Sequence, residues 1–187
     1  TVVLILDIAD VFDDNWVYIH SPDVKVGRIQ NFKNWSGDMV PDDSTTSLGL
    51  EYFCNEGDGL WNMSDTELLE LGTIEIERIG LANKANVLDG VVVRQQKAYP
   101  VYDAVYGPLL ATVQEWVSGL SNFHTIGRNG LHKYNNQDHS MLTAIMAVKN
   151  VVAGQTNDVW SVNTDRSYHE EVRIPRSGGE PVDILEA

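Results

Sequence analysis

Runs of β-branched and aromatic residues, separated by turn residues, fill the first half of this 187-residue chain. Segments 2–8 and 16–20 have the composition of strands, and the turn residues 13–15 between them predict a hairpin. Further strand-type patterns occur at 24–32, 47–54 and 90–95. Because these segments do not alternate regularly with helical patterns, their order predicts an α+β fold, in which helices pack on a mixed, largely antiparallel sheet.

Helical signals are concentrated in three places. Ser64 and Glu67 fit a capping box, in which each side chain accepts a hydrogen bond from the other residue's backbone N–H, and they predict a helix to about residue 79. Helical spacing of apolar residues predicts a second helix from Pro108 to about residue 120. A third is predicted over 137–152, where Gly154 can end it.

Composition narrows the possible classes of protein. The net charge of −14 disfavours binding to nucleic acids and to anionic membranes, because both carry negative charge. The single cysteine, Cys54, follows an apolar run and is expected to be a buried, inert thiol in a reducing compartment, so we expect a cytoplasmic protein. The chain begins at Thr1 within a strand-type pattern, which leads us to expect a longer natural protein.

A polar, glycine-containing turn runs from Gly127 into the third predicted helix. Helix N-termini present unpaired backbone N–H groups and the positive end of the helix dipole, and they suit an anionic or electron-rich ligand. On spacing alone, the asparagines at 135 and 136 can equally be plain helix caps, and Gly127 and Gly130 can simply permit a tight turn.

The segment 127–141 resembles the C-terminal signature of flavoproteins related to UDP-galactopyranose mutase, protoporphyrinogen oxidase and the amine oxidases. Residues 94–102 resemble a second, weaker motif of the same enzymes, Arg-x-x-x-Ala-Tyr-Pro. The resemblance extends to about residue 155. It departs from the mutases at Asn136, where they carry an Asp, and this puts the mutase reaction itself in question.

The resemblance implies an FAD cofactor. Gly127 and Arg128 would then contact the cofactor, with Arg128 pairing with the pyrophosphate or ribityl region, and the backbone N–H groups of Asn136, Gln137 and Asp138 would lie at the flavin ring. No Gly-x-Gly-x-x-Gly occurs in the chain, so we expect the main FAD-binding half to lie upstream of Thr1.

A small-molecule substrate, such as a nucleotide-sugar, is also expected. The candidate substrate-binding residues are Arg28, Arg94, Tyr99 and Tyr134, although each arginine can also be a surface cation and Tyr99 a half-buried core residue. The catalytic residues are unknown, and neither the histidines nor the cysteine has the spacing of a metal-binding set.

We therefore expect a substrate-side domain over 1–121 and an FAD-contacting strand, turn and helix over 122–154, with its strand at 122–126. A loosely docked polar tail is expected over 155–187. The function predicted is that of an FAD-dependent oxidoreductase or mutase-like enzyme, inactive as these 187 residues alone. Two alternatives stay open: an amine-oxidase-like or protoporphyrinogen-oxidase-like flavoprotein oxidase, and a cofactor-free sugar- or peptide-binding module with an aromatic cleft lined by Trp35, Trp61, Tyr99 and Tyr102.

Overall fold

The structure is a computed structural model that describes residues 1–163. Its strands are β1 (Val2–Leu6), β2 (Trp16–Tyr18), β3 (Arg28–Asn31), β4 (Thr46–Glu51) and β5 (Val87–Val92). Its α-helices are α1 (Phe32–Trp35), α2 (Asp65–Arg78), α3 (Tyr106–Ser118), α4 (Gly127–Gly130) and α5 (Gln137–Ala153), and short 3-10 turns occur at Gly37–Met39, Lys84–Asn86 and Val159–Ser161.

The five strands form one antiparallel sheet in the order β2-β3-β4-β1-β5. The predicted hairpin between the first two strands is wrong, because β1 pairs with β4 and β5 whereas β2 pairs with β3. The run of apolar residues in β1 is typical of a central strand with neighbours on both sides. Turn residues at 13–15 indicated that the chain reverses there, but they carry no information about which strand it meets next.

Helix α2 covers one face of this sheet and closes the core. Its Ser64 hydroxyl accepts from the Glu67 N–H at 3.3 Å while a Glu67 carboxylate oxygen accepts from the Ser64 N–H at 2.7 Å, as the sequence predicts. The buried apolar residues of this core are Val2, Leu4, Leu6, Val26, Ile29, Leu48, Leu50, Leu68, Ile76 and Ala82. The α+β class is therefore confirmed.

Cys54 is exposed, which contradicts the expectation of a buried thiol. Strand β4 ends at Glu51, so Cys54 lies in the loop that follows and not in the sheet interior. Among residues 1–163, no helix combines the length and the apolar character needed to cross a membrane.

The chain divides into two compact units, Thr1–Gln96 and Lys97–Ala187. The sheet and α2 belong to the first unit, and α3, α4 and α5 belong to the second. The division expected at 121/122 concerns ligand contact rather than compactness and stays a prediction.

One expectation for the second unit needs correction. The strand predicted at 122–126 does not form, and the chain reaches α4 through irregular backbone. In the segment expected to be a loosely docked tail, residues 158–163 are hydrogen-bonded to the turn before α5, and the expectation for the tail as a whole stays a prediction. The remainder, 164–187, lies outside the described residues.

Candidate functional site

The turn that leads into α5 begins with the four-residue helix α4 and is anchored at Gly127. Its φ of 74° lies in the left-handed region that glycine tolerates best. Its backbone N–H donates to the Thr143 hydroxyl at 3.0 Å, and that buried hydroxyl donates to the Ser140 carbonyl at 2.8 Å. Gly127 is thus bonded to the helix that it precedes, and this fixes the position of Arg128 beside it.

Arg128 lies against two aromatic rings. Its Cζ atom is 4.8 Å from the Tyr99 ring centroid and 4.3 Å from that of Tyr134, and the two rings stack with centroids 5.3 Å apart. Its Nε atom is buried and has no hydrogen-bond partner within residues 1–163. A buried guanidinium N–H normally donates to an acceptor. The Arg128 Nε–H is therefore suited to donate a hydrogen bond to an acceptor atom of a ligand. Three sequence-predicted residues therefore come together here.

A tyrosine-rich segment just after Lys97 holds this turn in place. The Tyr102 hydroxyl accepts from the Tyr134 backbone N–H at 2.6 Å, and the Tyr106 hydroxyl donates to the His132 carbonyl at 2.7 Å. Burial raises the pKa of both hydroxyls, and with the neighbouring Tyr102 it brings the pKa of Tyr106 to about 12. Both phenols therefore stay neutral at physiological pH.

Residues 158–163 form a strap that is hydrogen-bonded to the same turn at residues 133–135. The Lys133 ammonium donates to the carbonyls of Trp160 and Val162, and burial lowers its pKa. Asn163 donates from Nδ2 to the Tyr134 carbonyl at 2.9 Å and to the Asn135 side-chain carbonyl at 3.1 Å. This strap of residues 158–163 could not be recognised from the sequence, because its contacts are made by carbonyls and amides without a recognisable spacing.

The start of α5 is capped by Asn136, and its predicted role at a flavin ring stays a prediction. Asn136 is the N-cap residue, and its backbone N–H donates to Nδ1 of His139 at 3.2 Å. Gln137 and Asp138 occupy the first helical positions, where backbone N–H groups have no acceptor within the helix. Asn135, which precedes the cap, is buried, and its Nδ2 has no hydrogen-bond partner in the described part of the chain.

In the first unit, Arg28 lies on β3 with its guanidinium paired to Glu51 of β4. Glu51 Oε2 accepts from Arg28 Nε at 2.8 Å and from Nη2 at 2.5 Å. The rings of Tyr18 and Phe53 each have their centroid 5.7 Å from the Arg28 Cζ atom. Glu51 was not among the residues predicted for the site, because a charged pair across two strands can be recognised only when the register is known.

Arg94, in the same unit, donates hydrogen bonds from its guanidinium to three acceptors of the protein. It donates to the Asp65 carboxylate at 2.6 Å and to the carbonyls of Met63 at 2.6 Å and Trp61 at 3.3 Å. These contacts join the segment after β5 to the loop and first turn of α2. An anionic ligand at Arg94 would compete with Asp65 and the two carbonyls.

Metal ligands are not grouped in the described region: within residues 1–163, no three His, Cys, Asp or Glu side chains are close enough to hold a metal ion. The side chains that converge in the second unit are instead one guanidinium, aromatic rings and amides. Such a set can bind anions and planar groups.

Comparison with known proteins adds a structural relative. No protein-family model matches the chain, and no curated protein matches its sequence. Its fold is similar to a solved structure described as reduced UDP-galactopyranose mutase, with a TM-score of 0.71 and 20% sequence identity. The match covers 89% of this chain but 36% of the mutase chain, so these residues span about a third of that protein's length. The likeness establishes a shared fold over this region.

Proposed function

We propose that this chain is the substrate-side and C-terminal flavin-contacting part of an FAD-dependent enzyme of the oxidoreductase or nucleotide-sugar mutase type. The observation that carries the proposal is Arg128 at the turn into α5: its guanidinium lies against the Tyr99 and Tyr134 rings, and its buried Nε has no hydrogen-bond partner within residues 1–163. The fold shared with a UDP-galactopyranose mutase supports the same assignment.

The donors at this turn fit an FAD molecule. The planar fork of Arg128 suits the oxygens of the pyrophosphate or ribityl region, and the N–H groups of Gln137 and Asp138 suit the electron-rich edge of the ring. Asn136 has its N–H committed to His139, so its part is to cap the helix that presents the other two. Bound FAD would supply the redox or covalent chemistry.

Each unit holds its own candidates for contact with a substrate. In the second, the rings of Tyr99 and Tyr134 would offer a flat apolar surface. In the first, Arg28 would hold a phosphate or carboxylate group, because its guanidinium is already fixed in orientation by Glu51. Arg94 is the weaker candidate, because its Nε, Nη1 and Nη2 each donate to a different acceptor of the protein, whereas Nε and Nη2 of Arg28 share one carboxylate oxygen. Because Asn136 stands where the mutases carry Asp, a redox reaction fits these residues as well as a sugar rearrangement.

The test is FAD binding by the protein at its natural full length, measured by its visible absorption and by titration with added FAD. Arg128→Ala is expected to weaken FAD binding by about tenfold or more, because a charge-assisted contact is lost. Arg128→Lys keeps the charge but lacks the planar fork and should recover part of the loss. Lys149→Ala, an exposed position on α5, is the control and should bind FAD as the parent does.

The alternatives are separated by the same preparation. A colourless protein that takes up no added FAD would contradict the proposal and favour the cofactor-free module. If flavin is bound, a change in its spectrum on titration with UDP or a UDP-sugar supports a nucleotide-sugar substrate. A bound flavin that responds only to apolar amines or porphyrin-like compounds would instead favour the flavoprotein oxidases.

A further inference from the structure

A row of three side chains crosses the sheet on the face turned away from α2. Tyr18 of β2 lies opposite Arg28 of β3, and Arg28 lies opposite Glu51 of β4. Because directly opposite residues project from the same face of an antiparallel sheet, their side chains can meet across the strands. The strand register thus brings an aromatic ring, a guanidinium and a carboxylate together.

The carboxylate of Glu51 accepts three hydrogen bonds from neighbouring side chains. Its Oε2 accepts two bonds from Arg28, at 2.8 and 2.5 Å, and its Oε1 accepts from the Gln30 amide. The side chains of Arg28 and Glu51 are only 17% and 13% exposed. Both groups are therefore held more firmly than in a typical surface ion pair, which gains little from its geometry.

Two aromatic rings limit the remaining freedom of Arg28. The Tyr18 and Phe53 ring centroids are each 5.7 Å from its Cζ atom. The Phe53 ring also lies over Gly27, where an added Cβ would come within 2.9 Å of two ring carbons. The guanidinium plane of Arg28 therefore has a narrow range of orientations, because the two rings lie near it and its Nε and Nη2 atoms are hydrogen-bonded to Glu51.

The pairing of Arg28 with Glu51 has two opposing effects on the affinity for an anionic ligand. The carboxylate cancels the charge of Arg28 and so weakens the attraction of a phosphate at a distance. The same carboxylate fixes the guanidinium plane, and this lowers the conformational entropy lost when a phosphate binds. The sign of the effect of removing Glu51 shows which of the two dominates.

We propose that Glu51 is a positioning residue that orients Arg28 for the diphosphate of a nucleotide ligand, and that orientation outweighs the loss of charge. This inference rests on the proposed function, in which Arg28 holds the anionic part of the substrate. Gln30 supports the arrangement from the opposite oxygen of the carboxylate.

The experiment compares UDP binding by the full-length protein and four variants, using calorimetry at two salt concentrations. Glu51→Ala is expected to weaken UDP binding by about tenfold, even though it removes a negative charge beside the ligand. Glu51→Gln retains an acceptor for Arg28 and should restore most of the affinity. Glu70→Ala removes the same charge from an exposed position of α2 and should leave UDP binding unchanged. Arg28→Ala should abolish most of the binding.

The outcomes separate the two proposals. Tighter UDP binding by Glu51→Ala, strongest at low salt, would overturn the positioning role, because it is the result expected from charge compensation alone. If the parent binds UDP and Arg28→Ala binds it equally well, the assignment of Arg28 to the substrate fails and the role of Glu51 fails with it. If Arg28→Ala weakens binding but Glu51→Ala does not, only the inference about Glu51 is wrong.

A second measurement covers the case in which Glu51→Ala alters the fold. The Arg28 Nε–H resonance in a nitrogen-correlated NMR spectrum is expected to be sharp in the parent and in Glu51→Gln, and broadened by exchange in Glu51→Ala. A spectrum in which the backbone signals are preserved and the Arg28 Nε–H signal is equally sharp in Glu51→Ala would contradict the inference.

Discussion

Glu75 is a buried carboxylate of α2 that no sequence pattern singles out. It accepts from the backbone N–H groups of Lys25 at 2.7 Å and Val26 at 3.0 Å, and from the Tyr52 hydroxyl at 2.9 Å. Its substitution by Ala leaves these donors without acceptors, so we expect the free energy of unfolding to fall by about 3 kcal/mol. Urea unfolding measures the loss, and Glu70→Ala, on the exposed side of α2, should change stability by less than about 0.5 kcal/mol. An equal effect of the two variants would contradict this role.

The ionisation of the Tyr106 hydroxyl is expected to lower the stability of the second unit at alkaline pH. Burial, with the neighbouring Tyr102, raises its pKa from 10.0 to about 12. The folded state therefore prefers the protonated phenol, and this contribution to stability is complete below pH 10 and is lost as the pH rises through about 12. We expect ultraviolet absorbance to show a phenol titrating near pH 12 that is missing from Tyr106→Phe. The prediction is wrong if every tyrosine titrates near pH 10.

At the scale of elements, the pairing of β5 with β1 depends on a glycine. A Cβ added to Gly90 would lie 2.7 Å from the Val3 carbonyl oxygen and 2.5 Å from Leu69 Cδ2. Because the carbonyl is backbone and cannot move aside, Gly90→Ala should lower the free energy of unfolding by about 1–3 kcal/mol. Gly59→Ala, where no atom lies within 4 Å of the added Cβ, is the control and should be nearly neutral. Calorimetric melting of the two variants checks the difference.

For the molecule as a whole, α5 carries an apolar stripe on its outer side. Met141, Ile145, Val148 and Val152 are 52–81% exposed, whereas Thr143 and Ala147 of the same helix are buried. Exposed apolar stripes bind hydrophobic dyes, so the 187-residue chain should enhance the fluorescence of anilinonaphthalene sulfonate. Replacing Ile145 and Val148 together by Gln should remove at least half of that enhancement without loss of helical circular dichroism.

The control for this surface is Ser118→Gln, at an exposed polar position of α3. It should leave the dye fluorescence unchanged. A chain that shows no enhancement, or a double variant that behaves like the control, would contradict the exposed stripe.

Residues close together in sequence were predicted best. The end of α5 follows from Gly154, whose φ of 62° is that of a left-handed cap. Arg128 and Tyr134 were both assigned to the segment before α5, although their mutual contact was not predicted. Tyr99 is more distant in sequence, and only the resemblance to flavoproteins associated it with the same site. Glu51 and the 158–163 strap were missed, because each acts through a partner that local pattern does not specify.

The sequence by itself determined the class of the fold, the existence of α2, α3 and α5, and the turn that carries Arg128. These depend on apolar periodicity, caps and glycine conformations, which are properties of neighbouring residues. Tertiary structure alone decided that β1 is central, that Arg28 pairs with Glu51 while Arg94 pairs with Asp65, and that α5 turns Thr143 inward. Strand register and helix rotation are set by the packing of segments remote in sequence, so the chemistry of each arginine is fixed only when the sheet has formed.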